Sequence, residues 1–170
     1  MTIVENLLPE GCAARPCIER RDTKRIVIHW IGPYPKQDAA IVRNWWLKGA
    51  DGKGVQASAH FVVKDRAVTC CVPIGEVAWH AGDGRNYDSV GIEAVPADTK
   101  GVFSDETVLT LRELVAYVRA YYRKQNPAVE RHFDGVQKKD CPRWYTPAAE
   151  GGQERWNALL AVLEGHGGKK

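Results

Sequence analysis

Residues Arg25–Ile31 read RIVIHWI. The run is apolar and β-branched and too short for a helix, the pattern of a central strand buried on both faces. One position interrupts it, His29. An unpartnered imidazole in such a strand carries a desolvation cost of about 1–3 kcal/mol. His29 therefore reads either as a hydrogen-bonded core residue or as a ligand.

Working outward, apolar residues at Ile41, Val42, Trp45 and Trp46 keep helical spacing across 38–47, and Gly49 stops the helix. Residues 59–63 and 67–72 read as two strands joined by Lys64-Asp65-Arg66, which predicts a hairpin. SVGIEAV at 89–95 is a further short strand. The clearest helix begins at Ser104 as N-cap, carries Asp105 and Glu106 in its first turn, and aligns Val108, Leu111, Val115, Val118 and Tyr122 on one face. Asn126-Pro127 ends it. A brief strand at 129–131 leads into a loop at 132–146, and Trp156, Leu159, Leu160 and Leu163 mark a last helix. The order predicts a single-domain α/β fold with a mixed central β-sheet flanked by helices. An arm (1–24), rich in Pro, Gly and charge, is expected to pack on the domain (25–164), with a flexible tail at 165–170.

A chain of 170 residues, 44% hydrophobic and 26% charged, buries roughly 70% of its unfolded surface and can form a core without metal or disulfide staples. Twenty-four Lys and Arg against 21 Asp and Glu leave +3, too little and too dispersed for a nucleic-acid stripe, though it weakly favours an anionic surface such as a bacterial wall. No apolar run reaches the roughly 18 residues of a membrane span. The opening MTIVENLLPEG lacks the basic segment and apolar core of a secretory signal, so synthesis in the cytoplasm without export is expected. Five cysteines are too few and uneven for a disulfide framework. Cys12, Cys17, Cys70 and Cys71 are expected reduced, with a Cys12–Cys17 bridge as the alternative.

The chemistry concentrates at Arg131–Trp144, RHFDGVQKKDCPRW. His132 at a strand end and Cys141 nine positions on can converge on one metal, because neutral imidazole and thiolate are preferred zinc ligands. His29 is the natural third. Two histidines and a cysteine leave one tetrahedral position open, the catalytic arrangement. Each residue also has a plain structural role: His29 and Cys141 in the core, His132 on the surface beside Arg131.

VIHW (27–30), SAHFVV (58–63), WHAG (79–82), SVGIE (89–93) and the Arg131–Trp144 stretch occur together in this order. The set resembles the zinc-dependent N-acetylmuramoyl-L-alanine amidases of phage endolysins and bacterial autolysins, relatives of the peptidoglycan recognition proteins, over nearly the whole chain. The resemblance implies Zn2+ held by His29, His132 and Cys141. It implies Glu93 as general base, and Lys139 or a protonated His80 as donor to an oxyanion. Trp30, His60, Trp79 and Trp144 are expected on the substrate side, with Tyr87 nearby and 83–86 as a rim. Asp134 is a candidate partner for a ligand histidine. Two departures stand out: Ala59 occupies the position where many relatives carry tyrosine, and the His132–Cys141 spacing is one residue long, leaving Lys138 and Lys139 as alternatives. The implied activity is hydrolysis of the amide between N-acetylmuramic acid and L-alanine in peptidoglycan, by a monomer with no nucleic-acid or membrane partner. A non-catalytic wall-binding module, a cysteine hydrolase using Cys141 and a purely structural zinc site are the alternatives.

Overall fold

The computed structural model of the protein describes residues 1–49 and 52–165. Among these, six strands form one mixed sheet in the order β1-β4-β3-β5-β2-β6. β2 (Arg25–Trp30) lies between β5 (Ser89–Ala94) and β6 (Ala128–Arg131), parallel to both. The central position of β2 explains why its sequence is apolar on both faces. β3 (Phe61–Lys64) runs parallel to β5, and it forms the expected hairpin with β4 (Ala67–Cys70).

The sheet separates two cores. On one side Ile26, Ile28, Phe61, Val90 and Ile92 meet α2 (Asp105–Tyr121) and α4 (Gly152–Leu163). Helix α2 starts at Ser104, whose hydroxyl accepts from Thr107 N, and buries Leu111, Leu114, Val115 and Val118. On the other side Val62, Ala59 and Val72 meet Val42 and Trp46 of α1 (Ala39–Lys48), capped by Asp38.

The N-terminal arm is more than a cover. Its residues Ile3–Glu5 form β1, which pairs in parallel with β4 at the sheet edge. A three-residue strand flanked by loop residues leaves no periodicity to read, which is why the sequence suggested only an arm. Arg15 anchors the segment further, its guanidinium donating to both Glu76 carboxylate oxygens (2.9 and 2.7 Å) and to Leu8 O. The loop expected at 132–146 contains a one-turn helix, α3 (His132–Gly135), and a 3-10 turn at Arg143–Tyr145. Of the expected tail only Gly165 lies within the described residues. All five cysteines are free thiols, and burial pushes Cys70 and Cys71 up to about 11 and 12.

Candidate metal centre and active site

Strand register assembles the site. His29 of β2 is the Cα partner of Glu93 in β5, and registered partners in a parallel pair share a face. Ile28 pairs with Arg131 at the end of β6, so His132 emerges alongside His29 as α3 begins. Three residues distant in sequence thus reach one edge of three adjacent strands. Cys141 arrives from the following loop, held by Phe133 N donating to Cys141 O (2.9 Å).

One ligating atom from each of His29, His132 and Cys141 lies within 4.8 Å of the others. His29 Nδ1 is 3.7 Å from Cys141 Sγ, close to the roughly 3.5 Å that a nitrogen and a sulfur bound tetrahedrally to one zinc-sized ion would show. His132 Nε2 lies 2.9 Å from Ala81 O; a carbonyl only accepts, so the proton is on Nε2 and Nδ1 is free. Burial holds His29 and His132 below the usual histidine range, the former strongly, because protonating it would also place a cation against the adjacent His80 ring. Both are therefore neutral, as ligands must be. Burial, and then the Glu93 carboxylate, push the Cys141 thiol up, so a cation is what would let this sulfur ionise. Donor types, spacing and protonation all fit a divalent metal.

Beside the cluster a groove of about 530 Å³ is lined by Trp30, Tyr34, Trp45, Trp46, Trp79 and Glu93, among others. Glu93 Oε2 is buried and has no hydrogen-bond partner. Desolvation alone pushes this carboxyl up to about 8. A carboxyl whose proton affinity lies near neutrality and whose oxygen is free can take and return a proton.

Lys138 and Lys139 are both exposed, but the charge felt at His29, His132 and Cys141 is that of Lys139. Of the expected groove aromatics, Trp30 and Trp79 line it. Tyr87 is exposed and meets Trp79 edge-on at 6.0 Å, while Trp144 packs on the α2/α4 core with Arg155 stacked at 3.8 Å.

Four expectations change. His80 is 8% exposed and burial brings it down to about 3, so it is neutral and not a cationic oxyanion donor; its Nδ1 instead faces His29 Nε2 at 3.0 Å. His60 is fully buried and cannot touch a substrate: Gly91 N donates to its Nδ1, and its Nε2 lies beside Arg20 and Glu76 O. Asp134 accepts from Arg131 N and the Arg131 guanidinium, where the sequence suggested a ligand histidine. Arg85 and Asn86, expected at a rim, are buried: Asn86 Oδ1 accepts from His80 N (3.0 Å) and Ala81 N (2.7 Å).

Sequence reasoning missed Tyr34, Trp45, Trp46 and Ser58 in the groove. The signal was present in the pair Trp45-Trp46, since consecutive positions on a helix are about 100° apart and cannot both face one core.

Comparison with known proteins supports the same region. The profile described as N-acetylmuramoyl-L-alanine amidase matches residues 19–144. The chain is 27% identical over 161 residues to the N-acetylmuramoyl-L-alanine amidase CwlL of Bacillus licheniformis, covering 87% of this chain and 44% of that protein. The structure of the catalytic domain of XlyA, a protein of Bacillus subtilis strain 168, matches with a TM-score of 0.73 at 25% identity, over 96% of this chain and 99% of that one. A mutant endolysin from Bacillus subtilis matches equally, with a TM-score of 0.73 and 25% identity over 95% and 98%. The chain spans about half the length of the curated relatives it matches. Since the matched span contains His29, Glu93, His132 and Cys141 alike, this chain belongs to the N-acetylmuramoyl-L-alanine amidase family.

Proposed function

We propose that the chain is a zinc-dependent amidase that cleaves the bond between the lactyl group of N-acetylmuramic acid and the first L-alanine of the peptidoglycan stem, as an endolysin or autolysin does. The observation that carries the reading is the cluster of His29, His132 and Cys141 next to the unpartnered Glu93 oxygen in the groove. The names of the relatives supply the bond.

Zinc held by His29, His132 and Cys141 supplies Lewis-acid polarisation of a carbonyl and brings the pKa of water toward about 7. The remaining chemistry falls to the protein. Glu93 takes the proton from water as its oxygen adds to the carbonyl carbon. The same carboxyl then returns that proton to the amide nitrogen as the C–N bond breaks, leaving a lactyl carboxylic acid and a free alanine amine, between which the acid proton passes to give carboxylate and ammonium. Such a proton shuttle contributes roughly 10²–10⁴ in rate. Lys139 offers positive charge to the oxyanion, and Trp30 and Trp79 give the groove flat apolar walls. Ala59 is buried and provides no phenol, so Glu93 carries the proton transfer by itself. A cysteine nucleophile would need a depressed thiol pKa, and Cys141 shows the opposite shift.

Within the described residues no helix is long and apolar enough to cross a membrane. The reading has the chain act on the wall as a monomer, with 25–164 as catalytic body and 1–24 as an arm contributing an edge strand.

Mass spectrometry of purified peptidoglycan after digestion tests the assignment. Free stem peptides beginning at alanine are expected, lost with a chelator and regained with zinc. Wall binding without released peptides would overturn it in favour of a recognition module, and activity that resists chelation but not alkylation would overturn it in favour of a thiol enzyme.

A further inference from the structure

His29 can serve as a ligand through Nδ1 only if its proton sits on Nε2, and nothing in the residue itself fixes that choice. The surroundings do. The Ser89 hydroxyl donates to Arg85 O, and a carbonyl only accepts, so the direction of that bond is settled. Ser89 Oγ, fully buried, also meets His80 Nε2 at 3.1 Å. With its own hydrogen committed to Arg85 O, Oγ accepts from His80 Nε2–H. A neutral imidazole protonated on Nε2 has a lone pair on Nδ1, and His80 Nδ1 lies 3.0 Å from His29 Nε2. That lone pair accepts from His29 Nε2–H, and Nδ1 of His29 is left bare, facing Cys141 Sγ.

We infer that Ser89 and His80 form a one-way hydrogen-bond relay that begins at the Arg85 carbonyl and sets the tautomer of His29. Ser89 is a positioning residue: it reaches the metal centre only through His80. Outer partners of this kind typically change metal affinity by about 10–100-fold. Gly91 makes room for the relay, because a Cβ there would lie 2.4 Å from the His80 ring. The inference rests on the metal reading above.

Two measurements test it on the full chain. In the metal-free protein, long-range 1H–15N NMR correlations should show His29 protonated at Nε2, and at Nδ1 in Ser89→Ala. A mixed or Nδ1-protonated His29 in the parent overturns the relay whatever the enzymatic outcome. Zinc affinity, read by competition with a chromophoric chelator, should fall about 10–100-fold in Ser89→Ala. His80→Gln offers His29 a fixed amide oxygen, so adding Ser89→Ala to it should cost nothing further. An equal loss in both backgrounds means that Ser89 acts by packing alone and overturns the relay. Should His80→Gln fail to fold, the tautomer measurement decides. Failure of the parent to bind zinc, with His29 still protonated at Nε2, would count against the metal reading and leave the relay standing.

Discussion

Glu93 is the residue on which the proposed chemistry turns, and it has two separable properties. As the proton shuttle, it predicts that Glu93→Gln lowers kcat by about 10²–10⁴ while zinc content is unchanged, checked by peptide release beside metal analysis. As a buried acid, it predicts a pH-dependent stability. In the metal-free protein its folded pKa is raised to about 8 from 4.5. Its contribution is therefore fully present below about 4.5 and lost as pH rises through 8, where the unfolded chain has released a proton the folded one retains. Metal-free Glu93→Gln should match the parent near pH 4.5 and exceed it at pH 9 in urea denaturation. A constant difference across that range would refute the burial argument. The convergence of His29, His132 and Cys141 was legible in the sequence because few side chains can bind zinc and a histidine in an apolar strand demands a reason. His60, His80 and Asp134 were misplaced because their roles depend on which neighbour each ring or carboxylate faces, and spacing along the chain does not encode that.

At the scale of elements, β5 and α1 carry opposite constraints. Gly91 of β5 faces the His80 ring, and Gly91→Ala should displace it, costing about 1–3 kcal/mol by overpacking and weakening zinc binding as well. Thermal unfolding and a metal titration on the same variant check both. Helix α1 turns two adjacent tryptophans to different tasks: Trp46 is 5% exposed and Trp45 54%. Trp46→Ala should cost about 3–5 kcal/mol. Trp45→Ala should change stability by no more than about 0.5 kcal/mol and raise KM for wall fragments, measured by denaturation and steady-state kinetics. Periodicity located α1, α2, α4 and the hairpin well, since each has a burial stripe to display. The edge strand β1 and the turns within 132–146 are held by backbone pairing and by Arg131 and Arg15 instead, and these leave no periodic trace.

Over the whole molecule, four neutral histidines lie in or beside the centre. His29, His60, His80 and His132 all have pKa values lowered by burial. Unfolding lets them titrate at ordinary values near 6.5, so the unfolded state binds more protons than the folded one at mildly acidic pH. Their contribution is present above about 6.5 and lost as pH falls below it. Metal-free Glu93→Gln, which lacks the opposing contribution of that carboxyl, should therefore show a urea midpoint that declines from pH 7 to pH 5, and a flat profile in this variant would show that these rings are charged in the folded state. The fold class followed from the sequence because alternation of strand and helix patterns constrains architecture; strand order did not, as β1 joins from the far end of the chain. That His29 and Glu93 ride on two strands locked side by side, with His132 in the first position beyond a third, has an engineering corollary. The segment leaving β6 supplies His132, Lys139 and Cys141 and has to stay, whereas those leaving β2 and β5 can be exchanged or lengthened without disturbing the spacing of the reactive groups, so under the proposed function retargeting is a matter of grafting loops at those two positions.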